Sequence, residues 1–264
     1  MIRFFIIFLL TFANIGHAET LRLAVTTSFH NSGLSDELLP QIKADTNLDV
    51  ALLVVGTGQA LRLGEAGDVD AILVHSKAAE ETFVAAGYGT HRREIMYNDF
   101  VIAGPLADPA GVQAATTAAE GLIAIANAGS NFVSRGDDSG THKKELSLWD
   151  EAALPAADRG DWYKEVGAGM GAALNTASGL DAYILSDRAS WLNFGNKGAL
   201  GIVFAGDPAL FNQYAFIPVN AERHPHVKSD AVAKLEEWLV SDAAKTIIDG
   251  YVIEGETLFT FNAR

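Results

Sequence analysis

Short apolar segments alternate with amphipathic segments along the first third of the chain. Three of the apolar segments are each soon followed by Gly, Ser or Thr: 21–25, 50–55 and 71–74. The amphipathic segments follow them in turn: 32–43, 59–65 and 78–86. Apolar runs of this length are typical of buried strands, and the amphipathic spacing is typical of helices. The pattern predicts an α/β fold in which a mostly parallel sheet is covered by helices on both faces.

A long extended segment at residues 95–103, which ends at Gly104-Pro105, predicts a strand that crosses into a second lobe. The extended residues 214–219 predict the return strand. The other elements expected are a strand near 131–134 and helices near 112–119, 140–150, 171–185, 231–240 and 243–248. We therefore predict two lobes joined by two crossing strands, with small ligands bound in the cleft between them. The predicted boundaries place lobe 1 at residues 19–97 and 214–264, and lobe 2 at residues 98–213.

The first 18 residues have the pattern of an export signal. Arg3 supplies a positive charge, Phe4 to Phe12 form an apolar stretch, and Gly16-His17-Ala18 offers a cleavage site between small residues. The apolar run is shorter than the roughly 20 residues that a membrane-spanning helix requires. We expect a signal peptide at residues 1–18, cleavage near Ala18 and a mature protein in the periplasm.

Composition narrows the class of partner. The chain has no cysteine, so it has neither disulfides nor the lipidated cysteine that anchors many exported binding proteins. Without Arg3 it has 18 basic and 33 acidic residues, hence a net charge of −15, which disfavours nucleic acid and anionic membranes as partners. A small anion stays compatible, because charges beyond about 8 Å are largely screened by salt. We expect a monomer that is free in the periplasm and has no cofactor.

Three turns between a predicted strand and a predicted helix are rich in hydroxyl groups and glycine. They are Thr26-Thr27-Ser28, Gly56-Thr57-Gly58 and residues 134–141, which read S-R-G-D-D-S-G-T. In open parallel sheets such turns lie at the carboxyl edge of the strands, where ligands bind. Each opens a helix whose free N–H groups and dipole favour negative charge. A single turn of this kind is usually only a helix cap, but three in facing lobes favour an anion site.

Arg135 is the strongest single candidate, because a guanidinium can offer two parallel donors to a tetrahedral oxyanion. The alternative for this residue is a surface or hinge ion pair with Asp137 or Asp138. The neighbouring Asp137 and Asp138 are expected to cap the next helix or to orient Arg135. The turn Val74-His75-Ser76 supplies no carboxylate to accept the proton of a partly protonated phosphate, so we expect a fully deprotonated dianion. His75 either adds charge or forms a hydrogen bond with a carbonyl group.

Other chemistry finds less support in the sequence. His224-Pro225-His226 has no second ligand pair at metal-site spacing, so an exposed turn is expected there and no metal cation. Gly56-Thr57-Gly58-Gln59 lacks the lysine of a nucleotide-binding phosphate loop, and the chain has no G-x-S-x-G nucleophile elbow. We expect no catalytic residues. A secreted hydrolase with a spatially assembled triad stays open as an alternative.

Several longer motifs of the chain are distinctive. They are T-T-S at 26–28, S-G-L-S-D-E-L-L-P at 32–40, V-G-T-G-Q-A-L-R-L-G-E-A-G-D-V-D at 55–70, M-Y-N-D-F-V-I-A-G-P at 96–105, S-R-G-D-D-S-G-T-H-K-K-E-L-S-L-W at 134–149 and G-M-G-A-A-L-N-T-A-S at 169–178. Together they resemble the motifs of the tungstate-binding proteins of Tup-type ABC importers. The likeness covers nearly the whole mature chain. Val25 and Ala173 stand where this family has threonine, which leaves one donor fewer if such a threonine contacts the ligand.

The resemblance implies a type II periplasmic binding-protein fold that holds an oxyanion between its lobes through hydroxyls, backbone amides and one arginine. The ligand-binding residues carried over by position are Thr27, Ser28, Thr57, Arg135, Ser139, Gly140 and Thr141. The implied function is the capture of tungstate or molybdate for the permease of an ABC importer. Another oxyanion, such as sulfate or phosphate, is the nearest alternative.

Overall fold

The computed structural model describes residues 19–155 and 159–263, so the predicted signal peptide lies outside the described residues. From residue 19 onward, strands and helices alternate as the apolar pattern predicts. The elements of this first stretch are β1 (Glu19–Thr26), α1 (Thr27–Asn31), α2 (Leu34–Thr46), β2 (Leu48–Val55), α3 (Thr57–Ala66), β3 (Ala71–Val74), α4 (Lys77–Ala85) and β4 (Arg93–Pro105). β1 pairs in parallel with both β2 and β3, which confirms the predicted parallel arrangement.

The middle of the chain repeats this arrangement in a second lobe. Its elements are a 3-10 turn (Val112–Ala114), α5 (Ala118–Ala128), β5 (Phe132–Ser134), α6 (Gly140–Glu151), β6 (Tyr163–Glu165), α7 (Met170–Leu180), β7 (Tyr183–Asp187), α8 (Arg188–Asn193), β8 (Leu200–Phe204), a 3-10 turn (Pro208–Leu210) and β9 (Phe211–Pro218). β5 pairs in parallel with both β6 and β7. Each lobe therefore has three parallel strands at its centre.

The chain then returns to the first lobe. The last elements are α9 (Ser229–Leu239), α10 (Asp242–Gly250), β10 (Val252–Ile253), β11 (Glu256–Thr257) and β12 (Thr260–Phe261). α9 packs on β1 and β9, and α10 packs on α2. The prediction that the terminal helices pack back on the first lobe is therefore confirmed.

One mixed sheet runs through both lobes because β4 belongs to both halves of it. The first part of β4 pairs antiparallel with β9, and its second part, from Phe100 onward, pairs antiparallel with β7. The main path through the sheet follows the order β2-β1-β3-β9-β4-β7-β5-β6. The two-lobed α/β fold with β4 and β9 as the connecting strands is thus confirmed. The residue boundaries assigned to the two lobes stay a prediction.

The helix predicted over residues 171–185 is wrong in its last part. α7 ends at Leu180, because Asp181 takes a left-handed φ of 46° and Ala182 N donates to Ala177 O at 2.9 Å. The next five residues form β7, and all five are buried between β4 and β5. The apolar run Tyr183-Ile184-Leu185 continued the helical spacing, so the sequence pattern did not show the change to a strand.

The helix predicted from about residue 112 to residue 119 or beyond is wrong only in its start. Val112–Ala114 form a single 3-10 turn, and the α-helix begins only at Ala118. Thr117 caps this helix, since its Oγ1 atom accepts a hydrogen bond from Glu120 N at 3.1 Å.

A separate apolar core supports each lobe. In the first lobe Leu21 and Phe216 of the sheet pack with Leu235 of α9. In the second lobe Phe132 and Trp149 make an edge-to-face contact with ring centroids 5.2 Å apart. Each fully buried side chain of this size contributes about 1.5–3 kcal/mol to the stability of the fold, so each lobe holds its loops in fixed positions. Among the described helices, none has the length and apolar character needed to cross a membrane.

Candidate functional site

The N-termini of α3 and α6 face each other across the cleft between the lobes. Gly58 N donates to the carbonyl oxygen of Asp138 at 3.4 Å. A Cβ atom placed on Gly140 would lie 2.9 Å from Thr57 Oγ1 and 2.5 Å from His75 Cε1. The lobes therefore meet closely at this point, and the cleft is closed. Because both helix N-termini have free N–H groups, their meeting point favours negative charge.

Arg135 follows β5 and lies at this meeting point, with only 2% of its surface exposed. Its Nε and Nη2 atoms donate to Asp137 Oδ2 at 3.2 and 2.6 Å, and Nη2 also donates to Thr27 Oγ1 at 3.3 Å. The other carboxylate oxygen of Asp137 accepts from Ser139 N at 3.2 Å. The prediction that Asp137 orients Arg135 is thus confirmed. A guanidinium buried and held in this way is positioned in advance for an oxyanion.

Asp138 has a different role from Asp137. Its carboxylate pairs with Arg62 of α3 across the cleft at 3.4 Å and with Lys143 of α6. These ion pairs hold the pKa of Asp138 below its usual value, the bond with Lys143 being the largest cause. Asp138 faces the solvent side of the closed cleft, with half of its side chain exposed, so it links the lobes instead of orienting Arg135.

A buried group of hydroxyls and one imidazole forms the floor of the cleft on the first lobe. Ser28 Oγ lies 3.0 Å from Thr26 Oγ1, 3.0 Å from His75 Nε2 and 3.4 Å from the Tyr214 hydroxyl. Burial, followed by the positive charge of Arg135, lowers the pKa of His75 to about 3. His75 is therefore neutral at physiological pH. Of the two roles considered for His75, it forms a hydrogen bond, to a hydroxyl instead of a carbonyl, and adds no charge.

Several buried polar atoms around the cleft have no hydrogen-bond partner among the described residues. They include Thr57 Oγ1, His75 Nδ1, Thr141 Oγ1 and Asp187 Oδ2. Leaving buried polar groups unpaired costs free energy, and native proteins rarely do so without a reason. Hydroxyl groups can donate to an oxyanion, so the two threonines offer donors that no group of the described chain uses.

All seven residues predicted to bind ligand lie at junctions between a strand and the first turn of the following helix, and these junctions meet in the cleft. The first lobe contributes Thr27, Ser28 and Thr57, and the second contributes Arg135, Ser139, Gly140 and Thr141. Ser139 also caps α6, since its Oγ atom accepts from His142 N at 3.1 Å, and its hydroxyl hydrogen stays available to a second partner. The structure brings these residues together, while their contact with a ligand stays a prediction.

Sequence reasoning missed Asp187 and Tyr214 as residues of this region. Asp187 ends β7, and its carboxylate is fully buried. Burial raises the pKa of Asp187 to about 6. Asp187 Oδ1 caps α8 by accepting from Ser190 N at 2.8 Å. A strand that is followed directly by a helix-capping residue would have indicated Asp187. This pattern was not recognised because β7 was predicted to be helical.

The positions where this sequence departs from the family motifs lie in the cores of the lobes. Val25 and Ala173 are both fully buried among apolar side chains, Val25 in the first lobe and Ala173 in the second. The side chains at these positions therefore add no donor to the cleft.

A cavity beside the cleft measures about 790 Å³ and reaches the site only at its rim. His75 and Gly140 line it, together with Ser76, Asn212 and Gln213. Arg135, in contrast, does not line this cavity. A tetrahedral oxyanion needs far less space and many donors, so the cluster of hydroxyls and N–H groups around Arg135 suits it better than this cavity.

The two histidines of the 224–226 turn have structural partners. His224 Nε2 is bonded to Glu65 O at 3.0 Å, and His226 Nε2 to Gly67 O at 2.8 Å. Across residues 19–155 and 159–263, no group of three or more metal-ligating side chains comes together. Both rings thus connect the turn to the C-terminal end of α3.

Comparisons with known proteins agree with this geometry. The family model for the PBP superfamily domain matches residues 14–243. The tungstate-binding protein TupA of Peptoclostridium acidaminophilum is 44% identical over 245 residues, which cover 91% of this chain and 85% of that protein. The structure of TupA from Desulfovibrio alaskensis G20 has a TM-score of 0.81 and 45% identity, covering 94% of this chain and 100% of that one. The structure titled as the tungstate ABC transporter from Geobacter sulfurreducens has a TM-score of 0.81 and 47% identity, covering 88% of this chain and 99% of that one. The chain therefore belongs to the PBP superfamily and, within it, to the family of TupA tungstate-binding proteins.

Proposed function

We propose that this protein binds tungstate, with molybdate as the second candidate, and delivers it to the permease of an ABC importer. The observation that carries the proposal is the buried guanidinium of Arg135 at the closed meeting point of two helix N-termini. The relatives named above are tungstate-binding and transport proteins, so the proposed activity is binding and release without catalysis.

Binding requires closure of the lobes because the donors lie on both of them. The second lobe offers Arg135 and the N-terminus of α6, and the first lobe offers Thr57 and the N-terminus of α3. Closure removes water, and each charge-assisted hydrogen bond to the anion then contributes about 1.5–3 kcal/mol. Several such bonds offset the loss of hydration of a dianion.

Phosphate needs a separate control, because the assembled cleft differs from what the single turn at residues 74–76 indicated. That turn has no carboxylate, but Asp187 supplies a buried one from β7. A carboxylate can accept the proton of a partly protonated phosphate. The residues of this turn alone therefore do not distinguish phosphate from the other oxyanions, so the anions must be compared directly in binding measurements.

Isothermal titration calorimetry of the mature protein with tungstate, molybdate, sulfate and phosphate tests the proposal. We expect tight binding of tungstate and molybdate and binding at least 100-fold weaker for the other two, where 100-fold is about 2.7 kcal/mol. Tight binding of phosphate or sulfate alone would overturn the assignment. A screen on generic phosphate and acyl esters tests the hydrolase alternative, and clear turnover would support it.

The site of action and the assembly state are parts of the same proposal. We propose that the protein is exported, that its signal peptide is cut near Ala18, and that it works as a monomer in the periplasm. Mass spectrometry of the exported protein should give a chain that begins at Glu19, and light scattering should give the mass of one chain. Retention of residues 1–18 would contradict the cleavage, and a dimer would contradict the monomer.

A further inference from the structure

Asp187 places a carboxylate beside the residues that would hold the anion. β7 runs parallel to β5, with Val133 opposite Ile184, so the ends of both strands meet at one edge of the sheet. Arg135 directly follows β5, and Asp187 is the last residue of β7. On the other side, β4 pairs Phe100 with Asp187, and the Phe100 ring lies 6.0 Å from the His75 ring. Asp187 thus lies at the floor of the cleft.

One oxygen of Asp187 has a structural role and the other does not. Oδ1 accepts the capping hydrogen bond from Ser190 N, and the Ser190 side chain also lowers the pKa of the carboxyl through a hydrogen bond, whereas Oδ2 has no hydrogen bond of ordinary length among the described residues. The residue has 0% of its surface exposed, so water does not solvate this oxygen freely. α8, which Asp187 caps, packs against α1, where Thr27 and Ser28 lie. The buried Asp187 carboxylate therefore lies between the end of β5 on the second lobe, which Arg135 follows, and a helix that packs on α1 of the first lobe.

The charge of Asp187 acts on groups on both sides of the cleft. Burial raises the pKa of Asp187 to about 6, against the opposing hydrogen bonds from Ser190 and the positive charge of Arg135. The negative charge of Asp187 adds to burial in raising the pKa of Tyr214, whose hydroxyl lies 3.4 Å from Ser28 Oγ. A dianion bound at Arg135 would add strong repulsion against a second buried negative charge. Protonation of Asp187 removes this repulsion and supplies a donor.

We propose that Asp187 Oδ2 and an oxygen of the bound oxyanion share one proton in the closed site. This inference rests on the proposed function. For a fully deprotonated dianion such as tungstate, the proton comes from solvent and is taken up by Asp187 on binding. For an anion that already carries a proton, such as monohydrogen phosphate, the proton arrives with the ligand and Asp187 accepts its hydrogen bond.

The other charged groups near Asp187 leave this assignment intact. His75 is neutral, with a pKa lowered to about 3 by burial, and Tyr214 stays protonated because burial raises its pKa. Arg188, the first residue of α8, is turned to Asp99 at 2.6 Å. Further charged or titratable groups on the elements packed against β7 and α8 are His30 on α1, Arg93, Glu94, Tyr97 and Asp99 on β4, and His142, Lys143, Lys144, Glu145, Asp150 and Glu151 on α6.

Proton uptake makes tungstate affinity depend on pH in a defined direction. Between the pKa of Asp187 in the free protein and its higher pKa in the complex, the dissociation constant rises with pH by up to tenfold per unit. We expect tungstate to bind about tenfold more weakly at pH 8 than at pH 7. At pH 7.5, calorimetry in buffers of different ionisation enthalpy should show uptake of close to one proton per bound tungstate.

Asp187→Asn is the matched variant, because its amide can donate as the protonated acid does and its oxygen can still cap α8. We expect this variant to bind tungstate at pH 6.5 within about threefold of the wild type and to lose the pH dependence. Asp207→Asn is the control, since Asp207 caps the 3-10 turn at 208–210 by accepting from Ala209 N at 2.8 Å. The control should keep the wild-type pH dependence.

Two results would overturn the inference. One is wild-type affinity that stays constant within twofold between pH 6.5 and 8.5 without proton uptake. The other is an Asp187→Asn variant that keeps the full pH dependence. The wild-type proton count decides the question even if the variant does not fold. Tight tungstate binding without proton uptake would reject the inference and leave the proposed function in place, whereas no tungstate binding at any pH would reject the function itself.

Discussion

Arg135 Nη2 donates to the hydroxyl oxygen of Thr27 at 3.3 Å, a hydrogen bond that joins two loops 108 residues apart on opposite lobes. The same nitrogen and Nε also contact Asp137, so the guanidinium is fixed from its own loop and reaches the other lobe at once. A group with this geometry can couple anion binding to closure, because the anion and the opposite lobe share one donor.

Replacing the guanidinium should remove most of the affinity. Nε and Nη2 of Arg135 already donate to Asp137 and Thr27, so the two hydrogens of Nη1 stay available to the anion. Arg135→Ala deletes these donors, each worth about 1.5–3 kcal/mol in a charge-assisted hydrogen bond, and leaves the Asp137 carboxylate without its guanidinium partner, so we expect tungstate binding to weaken by at least about 100-fold. Arg223→Ala is the matched control, because the Arg223 guanidinium lies 4.4 Å from the Tyr88 ring on the surface of the first lobe. Calorimetry measures both, and equal losses would contradict the role of Arg135.

The unpaired hydroxyl of Thr57 should matter for binding and not for folding. Thr57→Val keeps the shape of the side chain and removes a buried donor that has no partner within residues 19–155 and 159–263. We expect the ligand-free variant to be as stable as the wild type or more stable, and tungstate affinity to fall about tenfold. Urea unfolding and calorimetry measure the two quantities.

Thr46→Val gives the opposite pattern and serves as the control for Thr57. Its hydroxyl donates to Ile42 O at 2.5 Å and accepts from Leu48 N at 3.2 Å, far from the cleft. Its replacement should lower stability by about 1 kcal/mol and leave affinity unchanged. A destabilised Thr57→Val variant with normal affinity would show that its hydroxyl has a structural role instead.

Gly140 is required for closure because there is no space for a side chain between the lobes. In Gly140→Ala the new methyl group would lie 2.5 Å from His75 Cε1 and 2.9 Å from Thr57 Oγ1. Overlap of this kind costs about 1–3 kcal/mol in the closed form, so we expect affinity to fall by about 5- to 150-fold. X-ray scattering should show less compaction on tungstate addition than in the wild type.

The control for Gly140 is Gly179→Ala in α7. A Cβ atom at Gly179 meets nothing within 4 Å. This change should stabilise the protein by about 0.5–1 kcal/mol, because alanine is favoured over glycine within a helix, and it should leave affinity unaltered. Full compaction of Gly140→Ala on ligand addition would refute the closure argument.

The stability of the second lobe should depend on pH through Glu145. Burial raises the pKa of Glu145 to about 7 from 4.5, against the opposing hydrogen bonds from Tyr163 and Trp149. An acid with a raised pKa in the folded state stabilises the fold below its unfolded pKa, and this contribution is lost as pH rises through the folded pKa. The affected window therefore runs from about pH 4.5 to 7.

Glu145→Gln has no such titration and should gain stability relative to the wild type between pH 5 and pH 8, by at most about 3 kcal/mol. Urea unfolding at both pH values gives the difference. Glu151→Gln, at an exposed position of the same helix, is the control and should show no comparable change. If wild type and Glu145→Gln differ in free energy of unfolding by the same amount at both pH values, Glu145 does not titrate in this range.

Local sequence determined most of the secondary structure and the chemistry of the loops. Period-two and helical spacing reflect interactions between near neighbours, so β1, β3, α3 and α6 were predictable within a few residues. The hydroxyl-rich turns were recognisable because strand ends and helix starts have local signatures. The composition of the site, with Arg135 among small polar residues, was therefore visible in the sequence.

Tertiary structure alone decided which groups face each other and which atoms stay unpaired. β7 is a strand because burial between β4 and β5 outweighs the helical spacing of its residues, and this places Asp187 beside Arg135. The neutral state of His75 likewise follows from burial and from a charge 60 residues further along the chain. Burial and contacts between distant residues depend on the packing of the whole chain, which no local pattern contains.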